Sequence, residues 1–201
     1  KSIIKKLRKG WHTHWLRRII PDLVGMGFWK GLYIYMKYTK SKHLESRGST
    51  YTIYDNRDSE LSSVSFVQDK ISKSYHGVVR GFHGDSRTWK LITCLDGIIL
   101  LITYDVLTDT KNRYILDGDS EQSVSVLVPP STLNAHQCLT EDCIFHYKWS
   151  EYYTGPEDQW SVNYDDKEIN PKWKAPVTIV SDRDARAGTL QELRERINEK
   201  P

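Results

Sequence analysis

The chain has 201 residues, a length suited to one domain, and its 38% hydrophobic and 27% charged residues argue against global disorder. Its net charge of +3 is unevenly divided. Residues 1–42 carry eleven Lys/Arg and one Asp, a balance of +10, which leaves 18 of the 29 basic and 25 of the 26 acidic residues, a balance of −7, for residues 43–201. An acidic body is a poor surface for nucleic acid, so we expect no nucleic-acid partner.

Residues 1–31 form a basic arm whose apolar residues recur with a helical spacing, at Ile3, Ile4, Leu7, Trp11, Trp15 and Ile19. This spacing predicts an amphipathic helix with a Lys/Arg face that ends at Pro21. Such a helix can lie on an anionic membrane. Packing against the rest of the chain or against a partner subunit is the favoured interpretation.

The cysteines and the apolar runs bear on the cellular compartment in which we expect the protein. The three cysteines form no paired framework, and an odd number without a secretory signal is typical of a reducing environment. The longest apolar runs, such as residues 97–104, are far too short to cross a bilayer. We therefore expect a cytoplasmic protein.

From residue 32 to residue 201 the pattern is that of an all-β domain, in which short β-branched and aromatic runs alternate with polar or Gly/Pro segments. Asp96-Gly97 stands between two runs and predicts a hairpin, because a tight two-residue turn needs positive φ. Many short strands without long helices between them favour a sandwich or barrel, and Gln191–Glu199 reads as a surface helix. The predicted strands are Leu32–Tyr38, Thr50–Tyr54, Val64–Val67, Gly77–Phe82, Trp89–Leu95, Ile98–Val106, Ser123–Val128, Ile144–Trp149 and Ser161–Tyr164.

His83 is the first candidate for chemistry. It follows a predicted strand in the segment Arg80-Gly81-Phe82-His83-Gly84-Asp85, where flanking glycines permit close approach of backbone or ligand. An imidazole there is either a solvated loop side chain or a general base. Lys90, on the next strand, is either exposed or, if it faces inward beside His83, a fixed positive charge for a developing anion.

An aromatic strand face holds the next candidates. If the strand continues to Tyr153, Tyr147 and Tyr153 share one face with Phe145, Trp149 and Glu151, whereas His146 points away. Such a face is more often core than catalytic. A phenol beside a sugar carbon can nevertheless donate a proton.

A series of motifs in the right order makes the chain similar to one enzyme family. The central motif, Gly77-Val78-Val79-Arg80-Gly81-Phe82-His83, is followed by Lys90-Leu91, Asp96-Gly97 and Asp105, and preceded by Arg47-Gly48 and Phe66-Val67-Gln68-Asp69. Downstream come Val128-Pro129-Pro130, Ala135-His136, Tyr147-Lys148, Tyr152-Tyr153, Pro156-Glu157 and Ser181-Asp182-Arg183-Asp184. Over roughly residues 33–190 the chain resembles the dTDP-4-dehydrorhamnose 3,5-epimerase family. Its short loop from His83 to Lys90 is more similar to the relatives that act on GDP-linked 6-deoxy-4-keto-heptoses.

The resemblance implies a cytoplasmic jelly-roll cupin that works as a homodimer without metal or cofactor. The substrate it implies is a 4-keto sugar of cell-surface carbohydrate biosynthesis, linked to dTDP or GDP and inverted at carbons 3 and 5. In the family's pattern His83 matches the base, Asp184 the acid that pairs with it, and Lys90 the lysine near the keto oxygen. Tyr147 matches the proton-donating tyrosine, and Tyr153 a second phenol of the active site.

The resemblance also implies a set of binding residues. Arg80, Gln68 and His136 match residues that line the pocket for the sugar diphosphate. Arg47 matches an arginine that reaches the nucleotide from the partner subunit, and Arg87 in the short loop is a further candidate for substrate contact.

The chain departs from the family's pattern at three places that bear on the substrate and on whether one or both carbons are inverted. Lys70 stands where an Asn is usual, two residues after Gln68. Gln137-Cys138 replaces Gly-Phe after Ala135-His136, and Leu101 replaces a common acidic residue.

Three alternatives to a 3,5-epimerase remain open. A ketoisomerase moves its proton on one face of the sugar and needs no opposing phenol. A non-catalytic cupin would bind the sugar nucleotide without using a base–acid pair. A metal-dependent cupin would carry two His separated by one residue and then a carboxylate, but Asp85 and Lys90 stand at those places and leave His136 as a remaining ligand, so we expect no metal site.

Overall fold

The computed structural model of the chain describes residues 36–59 and 61–199. The predicted basic arm lies outside these residues. The strands are β1 (Met36–Ser41), β2 (His43–Glu45), β3 (Gly48–Thr50), β4 (Gln68–Tyr75), β5 (Val79–Gly84), β6 (Lys90–Asp96), β7 (Ile98–Asp105), β8 (Thr110–Asp117), β9 (Gln122–Val128), β10 (Thr132–Cys138), β11 (Asp142–Trp149) and β12 (Trp160–Ser161). Two short helices follow, α1 (Asp182–Arg186) and α2 (Leu190–Asn198). No helix in the described ranges combines the length and apolarity needed to span a lipid bilayer.

Two antiparallel five-stranded sheets form the domain. The first sheet has the order β1-β9-β6-β11-β4 and the second the order β12-β5-β10-β7-β8, while β2 and β3 pair as a small hairpin. Most neighbours are not consecutive, so the chain crosses repeatedly between the sheets. The inward-facing apolar residues of both sheets pack together and comprise Ile92, Cys94, Ile99, Leu101, Leu116, Val126, Val128, Cys138, Cys143 and Phe145. The predicted all-β class is confirmed.

The C-terminal helix packs on the second sheet. Leu190 and Leu193 are buried in a core that also contains Phe82. Thr189 and Glu192 begin the helix as a reciprocal capping box, which satisfies backbone N–H groups that a helix start leaves unpaired. The predicted helix is confirmed with a shift of one residue at each end.

The segment from 51 to 67 covers the outer face of the first sheet. Leu61 packs there against Tyr38, Leu91 and Leu127. The two strands predicted in this segment are wrong, because its apolar side chains cover a sheet face instead of joining a ladder.

The turn at Asp96-Gly97 has the predicted backbone but not the predicted partners. Gly97 has φ +69°, and a Cβ there would come within 2.3 Å of the Asp142 carbonyl oxygen. The strands on either side belong to different sheets, β6 to the first and β7 to the second. The hairpin prediction is therefore wrong, since a tight turn also serves a chain that passes from one sheet to the other.

Within the two five-stranded sheets, the strands that the sequence pattern does not indicate are β4, β8 and β10. The inward side of β4 carries Lys70, Ser72 and Ser74, and that of β10 includes Asn134 and His136. Period-2 hydrophobicity fails where a strand face lines a cavity instead of the core. β8 is an edge strand in which four of the eight side chains are exposed, and Leu116 is its one fully buried apolar residue, so its hydrophobic alternation is weak.

Candidate active site

A cavity of about 350 Å³ lies between the sheets. Residues of β4, β6 and β11 from the first sheet line one side, and residues of β5 and β10 from the second sheet line the other, next to α1. Seven of the ten predicted site residues line it, namely Arg80, His83, Lys90, His136, Tyr147, Tyr153 and Asp184. The structure thus brings together residues that are up to 104 positions apart in the chain, Arg80 and Asp184 being the extremes.

His83 and Asp184 form a close pair at this cavity. His83 Nε2 lies 2.6 Å from Asp184 Oδ1, and the Gly81 N–H donates to Asp184 Oδ2 at 3.1 Å. Gly81 has φ +123°, and a Cβ there would lie 2.5 Å from the Ala135 Cβ on β10, so glycine is required for this approach. Ser181 caps α1 by accepting the Asp184 N–H, which holds the aspartate in the first turn.

Burial and hydrogen bonding together decide the protonation of this pair. It lowers the pKa of His83 below the ordinary value of 6.5, and the raising effect of Asp184 does not overcome it. Burial alone would raise the pKa of Asp184, but hydrogen bonds from His83, Gly81 and Ser181 lower it overall. The pair is therefore a neutral imidazole beside a carboxylate. Nε2 donates to Asp184, and Nδ1 keeps a lone pair that can accept a proton.

Lys90 places an ammonium group beside His83. The residue is 3% exposed, and its Nζ donates to Asn134 Oδ1 at 3.0 Å and lies 3.5 Å from the His83 carbonyl oxygen. Burial lowers the pKa of Lys90 to about 8. Among the residues that the structure describes, no carboxylate lies within ion-pair distance of this ammonium group. A buried cation without an anion is costly, so its position favours a negatively charged ligand atom in the cavity.

An aromatic wall runs along β11 and the residues after it. Successive ring centroids lie 5.0 Å apart from Phe145 to Tyr147, 5.5 Å from Tyr147 to Trp149 and 5.4 Å from Trp149 to Tyr153. The predicted shared face is confirmed for Phe145, Tyr147 and Trp149. The strand ends at Trp149, however, so Tyr153 joins the wall from the chain beyond it and Glu151 is exposed. His146 points away to Asp69. Burial raises the pKa of Tyr147, so its phenol stays protonated and can donate at neutral pH.

Several buried polar atoms of the cavity wall have no hydrogen-bond partner within the described residues. They are Ser72 Oγ, His136 Nε2, Trp149 Nε1 and Gln159 Nε2. Burial lowers the pKa of His136 to about 3, so its ring is neutral. Because buried polar atoms are normally paired, these atoms indicate that the cavity takes a polar ligand.

The cavity is also cationic. Its described lining includes Lys70, Arg80, Lys90 and Arg183, whereas the carboxylate among these residues is Asp184, which His83 engages. This excess of positive charge favours an anionic ligand.

The sequence profile of the dTDP-4-dehydrorhamnose 3,5-epimerase family matches residues 31–192. The chain belongs to this family. The dTDP-4-dehydrorhamnose 3,5-epimerase of Escherichia coli (strain K12) is 30% identical over 139 residues, which cover 65% of this chain and 74% of the relative.

Solved structures of this epimerase family superpose on the chain. The dTDP-4-dehydrorhamnose 3,5-epimerase of Elizabethkingia anophelis NUHP1 is 28% identical, with a TM-score of 0.66 over 78% of this chain and 92% of that one. The dTDP-6-deoxy-D-glucose-3,5-epimerase of Legionella pneumophila Philadelphia 1, in complex with dTDP-4-keto-L-rhamnose, is 26% identical, with a TM-score of 0.68 over 75% and 84%. The predicted family, cupin fold class and isomerase class are confirmed.

Three predicted binding residues of this epimerase lie outside the cavity lining. Gln68 uses its side-chain oxygen to accept the Tyr153 N–H at 2.9 Å, so it holds a cavity residue in place. Arg47 is exposed and paired with Glu45, and Arg87 is exposed on the loop before β6. Their roles at the substrate stay predictions.

Sequence reasoning missed several residues of the epimerase cavity. Arg183 stood inside the motif that supplied Asp184. Asn134 lies two positions from His136. Lys70, named beforehand only as a departure from the family's pattern, lies two positions from Gln68, so strand alternation could have placed both in the cavity. Gln159 lies between a short 3-10 helix, Pro156–Asp158, and β12, and carries no such signal.

Proposed function

We propose that this protein inverts carbon 3, carbon 5 or both in a nucleoside-diphosphate 4-keto-6-deoxy sugar, by removing and returning protons through an enolate. The observation that supports this most is the placement of His83 and Tyr147 on opposite sheets around one cavity. Lys90, on the first sheet, lines the same cavity. A base and an acid on opposite sides are what inversion requires.

Enolate stabilisation is the first demand of this chemistry. A ketone at carbon 4 acidifies the neighbouring C–H bonds, but these protons still differ from imidazole by roughly a dozen pK units. The base therefore needs a positive charge at the position where the oxygen becomes negative. We assign that role to Lys90, whose ammonium group is buried and held by Asn134.

Proton transfer is the second demand. In our proposal His83 Nδ1 takes the proton from one face of the sugar, and Asp184 stabilises the imidazolium that forms. Tyr147 returns a proton from the opposite face, since its raised pKa keeps the phenol protonated. A binding-only cupin has no need of this pairing of base and acid.

Diphosphate binding is the third demand. The cationic lining of the cavity supports an anionic substrate, and we assign Arg80 and His136 to it. We further propose a homodimer in which Arg47 reaches the nucleotide across the interface. The Legionella relative holds a dTDP-linked sugar, which supports dTDP as the carrier here, with GDP as the alternative. A cytoplasmic location stays a prediction.

The decisive experiment incubates the protein with 4-keto sugars linked to dTDP or GDP in heavy water. Mass spectrometry counts the deuterium atoms incorporated, and NMR determines the product's stereochemistry. We expect one or two deuterium atoms with inversion at the same carbons. Deuterium without inversion, or a keto group moved to a neighbouring carbon, would favour ketoisomerisation.

Tyr147→Phe separates the two proton transfers. We expect inversion to slow by about 100-fold or more while deuterium exchange at the carbon facing His83 stays close to wild type, because only the return step loses its acid. Tyr152→Phe, an exposed tyrosine outside the cavity lining, serves as the control. Equal loss of exchange and inversion in Tyr147→Phe would contradict the assignment.

A further inference from the structure

Lys70 is a cavity residue to which the proposed mechanism gives no role. It lies on β4 directly opposite Tyr147 of β11, and both side chains line the cavity. Its Nζ lies 3.6 Å from the centroid of the Tyr153 ring and 5.5 Å from that of the Trp149 ring. The aromatic faces therefore hold a cation at a defined place.

The ammonium group of Lys70 has no anionic partner in the described part of the chain. Neither an ion pair nor a hydrogen bond joins it to residues 36–59 or 61–199, and burial lowers its pKa. The aromatic rings offset part of the lost hydration, but three N–H donors stay unused. Such a group is suited to bind an anion that enters the cavity.

Its neighbours extend this feature along β4. Ser72, two residues on and on the same strand face, has a buried hydroxyl without a partner among the described residues. Ser74 accepts a hydrogen bond from Arg80 Nε at 3.0 Å, which holds that guanidinium group against the same strand. The face of β4 thus presents an ammonium group, a hydroxyl and a guanidinium group to the cavity.

Strand order separates this feature from the keto oxygen. β11 lies between β4, which carries Lys70, and β6, which carries Lys90, so the backbones of the two lysines are two strand spacings, about 10 Å, apart. Lys90 is the more deeply buried of the two, whereas Lys70 is half-buried. A sugar nucleotide carries its permanent negative charge on the diphosphate, a sugar's width from the keto oxygen.

We infer that Lys70 binds the diphosphate of the substrate and makes the cavity selective for diphosphate-linked sugars. This inference rests on the proposed function, and it gives the residue that departs from the family's usual Asn a specific role. The Lys70 ammonium group, held on the rings of Tyr153 and Trp149, contacts the phosphate oxygens once the sugar nucleotide is bound. Lys70 is a binding residue in this scheme and takes no part in proton transfer.

The test measures the binding of dTDP, GDP and the matching nucleosides to wild type, Lys70→Met and Lys70→Arg by calorimetry. Met keeps the aliphatic stem over the rings, and Arg keeps the charge. We expect Lys70→Met to weaken diphosphate binding by about 10- to 100-fold, the range for a charge-assisted hydrogen bond, and to leave nucleoside binding unchanged. Lys70→Arg should recover most of the loss.

Lys73→Met is the matched control, because Lys73 lies on the same strand but faces outward, where it pairs with Asp142. It should bind diphosphates as wild type does. Equal weakening for nucleoside and diphosphate in Lys70→Met would mean that Lys70 only supports Tyr153, and unchanged diphosphate binding would also overturn the inference. Thermal unfolding of each variant verifies that it is folded.

Turnover measurements separate this inference from the proposed function. Lys70→Met should raise KM for the sugar nucleotide about 10-fold or more and leave kcat within about threefold, since the base and acid are intact. A wild-type protein that binds diphosphates through Lys70 but exchanges no deuterium would overturn the epimerase proposal alone. If the wild-type protein is an epimerase but Lys70→Met has the same KM, the Lys70 inference alone is overturned.

Discussion

Two histidine–aspartate pairs lie on different sides of this molecule. His83 Nε2 is 2.6 Å from Asp184 Oδ1 at the cavity, and His146 Nε2 is 2.9 Å from Asp69 Oδ1 on the outward side of the first sheet. Both imidazole rings are largely buried. By the distance between the partners alone, either pair could be a base with its orienting acid.

Their surroundings differ. The Asp184 side chain is 3% exposed and accepts from the Gly81 N–H, whereas that of Asp69 is 54% exposed and also accepts from Lys148 Nζ at 2.7 and 2.8 Å. The Asp184 carboxylate is shielded from solvent and interacts with His83 beside a cationic cavity. The Asp69 carboxylate lies at the surface, where it is exposed to water and forms an ion pair with Lys148. A His–Asp pair acquires a chemical role from its position at a cavity and from its neighbours, and the short contact alone does not confer one.

Replacing the two histidines tests this comparison most strongly. His83→Asn should reduce both deuterium exchange and epimerisation by about 1000-fold or more, because the general base is lost. His146→Asn should retain exchange within about threefold. The measurement is deuterium incorporation at saturating substrate, and wild-type exchange in His83→Asn would place the base elsewhere.

Replacing the lysine beside each pair should reduce activity at the cavity pair only and should change stability in opposite directions. Lys90→Met should lower kcat by about 100- to 1000-fold, as for a lost oxyanion donor. It should also raise the free energy of unfolding by on the order of 1–3 kcal/mol, because a desolvated charge is removed from the folded state. Lys148→Met should leave kcat unchanged and lower stability slightly. Steady-state kinetics and denaturant unfolding measure both quantities, and a destabilised Lys90→Met would contradict the account.

The pH profile of kcat/KM should reflect the cavity pair and Lys90. Activity requires neutral His83 and charged Lys90, so the profile should fall on the acid side below pH 6.5 and on the alkaline side near pH 8. Each limb should approach a tenfold loss per pH unit. His146→Asn should keep the same profile, and an alkaline limb near the ordinary lysine pKa of 10.5 would show that Lys90 is hydrated.

The smallest expected effect belongs to the outer pair. Hydrogen bonds from Lys148 and His146 outweigh partial burial and lower the pKa of Asp69 in the folded protein. Asp69→Asn should therefore cost less than about 1 kcal/mol, the usual value of an exposed ion pair. This difference should be complete above the unfolded pKa near 3.8 and should vanish as pH falls through the lowered folded value. Urea unfolding at several pH values measures it, and a cost that persists in strong acid would point to packing.

The sequence by itself determined the all-β class, the C-terminal helix, the alternation that puts Tyr147 and Trp149 on one face, and the family, because each depends on local spacing or on motif order. Tertiary structure decided the rest. The turn at Gly97 is encoded locally, but whether its strands pair depends on which sheet each joins. The strands β4 and β10 escaped detection because their inward side chains line a cavity, where polar residues replace the apolar ones that reveal a strand. The family motif singled out His83, but the physical difference between His83 and His146 exists only in the folded chain, since burial, the neighbouring cations and an open cavity are properties of residues far apart in sequence.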